Sequence, residues 1–143
     1  MAYVLGLDAK MYRYDTPTTT WEEIENVKDL TLNLEGSTAD VTTRGGNGWR
    51  QSVKTLKDGN VSWTMVYDND DAEFTAIRTA FLNNDDVQLQ IMDGDRATTG
   101  TQGLQAHFSI TGFNINESLE EAMTVDVTAV TAYNSTAPAW TTI

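Results

Sequence analysis

The sequence has no cysteine and a single histidine, His107. Without cysteine there is no disulfide framework and no thiolate metal site, so the fold must stand on burial and packing. With one histidine and no thiol, Ser-His and Cys-His nucleophile schemes lack partners and a tetrahedral zinc site lacks ligands. No apolar run reaches the roughly 18 residues of a membrane-spanning helix. The opening MAYVLGLDAKMYRY shows no apolar run of signal length behind a basic start. The chain is therefore expected to be soluble, without membrane insertion and unsecreted by any standard signal. Positive charge is scarce too: 9 Lys and Arg stand against 21 Asp and Glu, a net of -12. Such a surface repels nucleic acid, because phosphate binding releases counterions only to a basic face.

No other chemistry fills the gap. Gly45, Gly46 and Gly48 fit neither GxGxxG nor GxxxxGK[ST], since residue 51 is Gln and the nearest lysine is Lys54. The acidic clusters DNDD (68–71) and DGD (93–95) lack the order of a calcium loop and read as a helix cap and a turn. Nothing singles out a pair of carboxylates for glycoside hydrolysis. No catalytic, cofactor-binding or metal residue emerges, and the expectation is a protein that is not an enzyme and carries no cofactor.

What is present is strand pattern. At 143 residues the chain suits one domain, residues 1–143, burying roughly 70% of its unfolded surface. In DLTLNL the residues Leu30, Leu32 and Leu34 alternate with polar positions. Val61, Trp63, Met65 and Tyr67 do so in VSWTMVY, and Val87, Leu89 and Ile91 in VQLQI. In LQAHFSITGFNIN the apolar parity passes through Leu104, Ala106, Phe108 and Ile110, then shifts to Phe113 and Ile115 across Gly112, which predicts a bulge. His107 has the opposite parity and faces away from the core. Met123, Val125 and Val127 mark the last clear strand.

One segment keeps helical spacing. Phe74, Ile77 and Phe81 recur at three and four residues, with Asp70, Asp71 and Glu73 at the start and Asn83 and Asn84 at the exit. This predicts a helix over about residues 71–83. One helix among about six strands makes the chain mainly β, a sandwich or small barrel with a flanking helix.

Residues 40–59, DVTTRGGNGWRQSVKTLKDG, have no such periodicity. Arg44, Arg50, Lys54 and Lys57 against Asp40 and Asp58 make this segment +2 and leave -14 for the rest. An extended loop over about residues 36–60 is the expectation, and a loop of this length in a compact domain is functional or disordered. Trp49 flanked by arginines is interface chemistry. A basic arm on an acidic body finds its electrostatic match in another copy or in an acidic partner. If each arm binds the next copy, the contact is heterologous and gives a ring or an open stack. Arg44, Trp49, Arg50, Lys54 and Lys57 are thus candidate inter-subunit contacts.

The order of TWEEIENVKDLTLNLE, ADVTTRGGNGWRQSVKTLKDG, VSWTMVYDNDDAEFTAIRTAF and VQLQIMDG, followed by a strand and a Pro-containing tail, resembles the major tail (tail tube) proteins of long-tailed bacteriophages. The most specific parts are Trp21, Ile24 and Val27 in the opening, Asp40-Val41-Thr42-Thr43-Arg44 with Gly48-Trp49-Arg50 behind it, and Leu56-Lys57-Asp58 before the Trp63 strand. The resemblance spans nearly the whole chain. It implies a β-sandwich or barrel of the tail tube type, assembling as hexameric rings that stack into a hollow conduit for DNA delivery. It implies a virion location, synthesis in the bacterial host cytoplasm, and partners such as the tape measure and tail terminator proteins. It also implies that the loop, the N-terminal residues and the C-terminal tail (133–143) make assembly contacts.

Six copies at -12 carry -72 per ring, and a lumen of that sign lets DNA pass without specific binding. Asp126, interleaved on the polar face of its strand, is the candidate lumen acid. Two alternatives remain open on sequence: a tube protein of a related secretion or injection machine, and a monomeric ligand-binding β-domain using aromatics such as Trp21 and Trp140.

Overall fold

The structure, a computed structural model, describes residues 3–132 and 134–143. Eight antiparallel strands follow one another as β1 (Lys10–Asp15), β2 (Thr20–Glu23), β3 (Val27–Asp40), β4 (Ser52–Val66), β5 (Asp86–Met92), β6 (Gln102–Asn116), β7 (Thr124–Thr131) and β8 (Ala139–Thr142). Among the described residues the one α-helix, α1 (Ala72–Asn83), lies between β4 and β5. A single sheet in the order β2-β1-β5-β6-β7-β4-β3 curls into a half-barrel, with β8 paired to the start of β6. The mainly β class with one flanking helix is the one expected from the sequence.

Period-2 patterning accounts for the inner face. Val61, Trp63 and Met65 of β4, Leu89 of β5, Phe108 of β6, and Val125, Val127 and Ala129 of β7 are all buried in one cluster. The parity shift in β6 occurs where glycine predicted it: the register against β7 slips between Ile110 and Gly112. Another glycine in that strand is dictated by packing. A Cβ at Gly103 would sit 1.9 Å from the Ile91 carbonyl oxygen, so β6 approaches β5 there as only glycine permits.

Helix α1 closes the concave face. Phe74, Ile77 and Ala80 are buried against the sheet, with the Phe74 ring 4.9 Å from Tyr67 and 5.8 Å from Phe113. Its ends follow the sequence signals closely. The Asp71 carboxylate accepts from the Phe74 N–H at 3.2 Å, and Asn84 adopts the left-handed conformation at the exit.

The short strands β1, β2 and β8 had no sequence signal strong enough to identify them. Strand β5 is also buried on both faces, with Gln90 and Met92 as inaccessible as Leu89. The cover is the loop after β5. The Arg96 guanidinium lies 5.1 Å over the Trp21 ring and 5.9 Å over the Tyr12 ring, and it donates to the Gln90 side-chain oxygen. Gln90 in turn donates to Gln105 at 2.7 Å. This small outer cluster satisfies its buried amides internally, and its burial raises the Tyr12 phenol above its ordinary pKa.

Candidate functional site

The segment without periodicity is a β-hairpin arm. Strands β3 and β4 pair far beyond the body, through Leu34 with Gly59, Glu35 with Asp58 and Gly36 with Lys57. After a bulge they continue as Thr38 with Lys54, Ala39 with Val53 and Asp40 with Ser52. The expected extended loop is therefore regular for most of its length, and only residues 41–51 are irregular. Alternation was invisible because both faces of the arm meet solvent. Val53 and Leu56 are 52% and 74% exposed, so no buried face imposed a pattern on them.

The tip is tied down locally. Val41 N–H donates to the Gln51 carbonyl at 2.9 Å, and Gln51 N–H donates to the Thr42 hydroxyl at 2.9 Å. Thr42 N–H donates to the Asp40 carboxylate at 2.8 Å. The Thr42 hydroxyl and backbone N–H together hold the Asp40 carboxyl below its ordinary pKa. A 3-10 turn over Arg44–Gly46 leads into two left-handed residues, Asn47 at φ 54° and Gly48 at φ 84°. These reverse the chain and leave Trp49 three-quarters exposed at the end of the arm.

All five candidate contact residues, Arg44, Trp49, Arg50, Lys54 and Lys57, lie on this one arm. The ion pairs among the described residues join Lys10 to Glu23 and Asp95, and Arg13 to Asp15 and Glu73. None involves the arm, so its four cations have no anionic partner there. The tail is different. Its strand β8 is paired to β6, the Trp140 Nε1–H donates to Gln102 at 2.9 Å, and Ile143 N–H donates to the Thr101 carbonyl at 2.8 Å. Trp140 itself stays 62% exposed. Tyr133, the first residue of the proposed tail contact, lies outside the described residues. At the other end, Tyr3, Val4, Leu5 and Leu7 are exposed.

Asp126 stands on the solvated face of β7, opposite Thr64 of β4 and Asn114 of β6. It accepts from the Asn116 amide at 2.8 Å and from the Thr64 hydroxyl at 2.9 Å. These two bonds, the Asn116 bond foremost, lower its pKa. By register Asp58 and Glu35 of the arm base and Asp86 of β5 share the polar face of the sheet, amid Asn33, Asn60 and Ser62. No group of three or more His, Cys, Asp or Glu is placed to hold a metal among the described residues.

A curled antiparallel half-barrel, one flanking helix and a long hairpin that carries Arg44, Arg50, Lys54 and Lys57 together define a mainly β domain. The comparisons with known proteins agree. The model of the phage tail tube protein family matches residues 9–132, and the chain belongs to that family. It is a structural tail protein of the virion.

Among solved structures it is similar to a chain in the tail of an empty gene transfer agent particle refined with C6 symmetry. The identity is 20%, the TM-score 0.79, and the match covers 97% of this chain and 99% of that one. It is also similar to the SPP1 tail tube subunit, at 12% identity and TM-score 0.75 over 99% of this chain and 80% of that one. A chain of the anti-feeding prophage baseplate matches at 8% identity and TM-score 0.66, over 99% and 97%. No curated protein matches the sequence.

Proposed function

We propose that this chain is the repeating subunit of a tail tube, in which hexameric rings stack into a hollow conduit with an acidic lumen through which DNA is delivered. The observation that carries the reading is the arm: four cations without an anionic partner among the described residues and an exposed Trp49, projected from a body of opposite sign. Two further features support it. Among the described residues the sheet is open, with β2 and β3 as unpaired edges that a neighbouring copy can extend. The polar face carries Asp58, Asp86 and Asp126 among amides and hydroxyls, a surface over which phosphates slide without sticking. The C6 symmetry of the gene transfer agent tail belongs to that particle, and six-membered rings are proposed here by its likeness. The subunit performs no catalysis. It is made in the host cytoplasm, and its further partners are other tail proteins such as the tape measure and the tail terminator.

A second reading keeps the tube and changes its cargo. The likeness to a chain of the anti-feeding prophage baseplate favours an injection machine of the same fold, which only the assembly partners separate from a phage tail. The monomeric ligand-binding reading is weakened by Trp21, whose ring is taken up between Tyr14 and Arg96 and is not offered to a ligand.

Light scattering behind size exclusion, over a range of protein and salt concentrations and with negative-stain images of the largest fractions, tests the proposal. Tubes or six-fold rings are expected. A chain that stays monomeric even when seeded with preformed tail components rejects it.

A further inference from the structure

The arm needs a receiver, and the fold holds one at its far end. A groove of about 620 Å³ opens between the edges β2 and β3, floored by Met11, Ile24, Val27 and Leu30, with the exposed Leu7 at its rim. Glu23, Glu25 and Asp29 also line it, against Lys10 and Lys28, and Asp8 follows Leu7. Glu23 is taken by Lys10 at 2.8 Å. Glu25 and Asp29 are exposed and have no ion-pair partner among the described residues. An apolar floor with a net acidic rim complements an indole flanked by guanidinium groups.

Geometry decides between self and neighbour. Strand β3 begins in this groove, at Val27, and ends at the arm tip, at Asp40. Its 14 residues at about 3.3 Å each separate the two by on the order of 40 Å. Pairing continues through Asp40 and Ser52, so the arm tip stands at the opposite end of β3 from its own groove. Donor and receiver at opposite ends of one strand make a head-to-tail contact, which gives a ring or an open stack.

We propose that the arm tip of one copy, with Trp49 seated between Arg44 and Arg50, docks in the groove between β2 and β3 of the next copy, against Glu25 and Asp29. The inference rests on the tube reading and names the surface that the arm engages.

The absence of cysteine makes a direct test available. Leu7→Cys with Gly45→Cys places thiols at the groove and the tip. Leu7 is 91% exposed, and a Cβ at Gly45 meets nothing closer than 3.7 Å. Oxidised assemblies are expected to run as a ladder of covalent oligomers, whereas the control pair Leu82→Cys with Gly45→Cys stays monomeric. In parallel, Arg50→Glu should raise the concentration needed for growth by roughly tenfold or more, and added Glu25→Lys and Asp29→Lys should restore it. If wild-type tubes form but the ladder appears only with the control pair, or with neither, the docking site is wrong. Arg50→Glu growing like wild type, or remaining inert with the compensating lysines, also overturns it. Failure of the wild-type chain to assemble with seeds rejects the tube reading itself and is recognisable separately.

Discussion

Arg13 Nε donates to Glu73 Oε2 at 2.5 Å, tying β1 to the first turn of α1 across 60 residues of sequence. Both side chains are nearly sealed from water, at 14% and 8% exposure. Removing one partner leaves an uncompensated charge beneath the helix, so Arg13→Leu is expected to cost about 3 kcal/mol. The double variant Arg13→Leu with Glu73→Leu should recover most of that loss. Urea unfolding midpoints of the two variants and the wild type measure the difference.

The same pair gives a pH signature. Burial raises the Glu73 pKa above its ordinary 4.5 and outweighs the opposing Arg13 hydrogen bond. The native state therefore holds this proton more tightly than the unfolded chain. Its contribution is fully present below pH 4.5 and declines as pH rises through the higher native pKa. Relative to Glu73→Gln, the wild type should lose stability across that interval and level off above it, as followed by urea melts at stepped pH.

Asp71 does two jobs. It caps α1 through the Phe74 N–H and accepts from the Asn26 side chain at 3.2 Å, joining the helix start to the turn before β3. Asp71→Ala should cost about 1 kcal/mol or slightly more from the cap. Asp71→Ser should recover much of it, and a comparison of thermal midpoints checks this.

Gly103→Ala meets backbone, not a movable side chain, at 1.9 Å. Strands β5 and β6 must separate to admit the methyl group, at an expected cost of about 3 kcal/mol. Amide exchange should show the loosening first at Ile91 and Met92, the residues opposite.

Asp126 titrates below its ordinary 3.8 because Asn116 and Thr64 bond the charged form. Its stabilising effect is present above pH 3.8 and lost as pH falls through the lower native pKa. Asn116→Ala with Thr64→Val should bring the titration, observed by NMR, back towards 3.8. In assembled tubes, Asp126→Lys should retain DNA fragments at low ionic strength and release them as salt rises, whereas wild-type tubes retain none.

How far the chain could be read without coordinates followed where water lay. Val61, Trp63 and Met65, or Val125 and Val127, alternate because one face of each strand is buried and the other is wet, and that contrast is written into residue type. The helix and its two ends were legible for the same local reason, since Asp71 and Asn84 act on their own neighbours. The arm's chemistry was readable in Arg44, Trp49 and Arg50, but its strands were not, because a hairpin solvated on both faces imposes no alternation. Gln90 and Arg96 were hidden by the opposite circumstance: a glutamine reads as surface until a loop from elsewhere covers it. Tertiary structure alone decided that Arg13 meets Glu73 and that Gly103 touches Ile91. It also set the groove and the arm tip at opposite ends of β3, because these relations depend on which strands lie side by side, and pairing partners distant in sequence leave no mark on either residue.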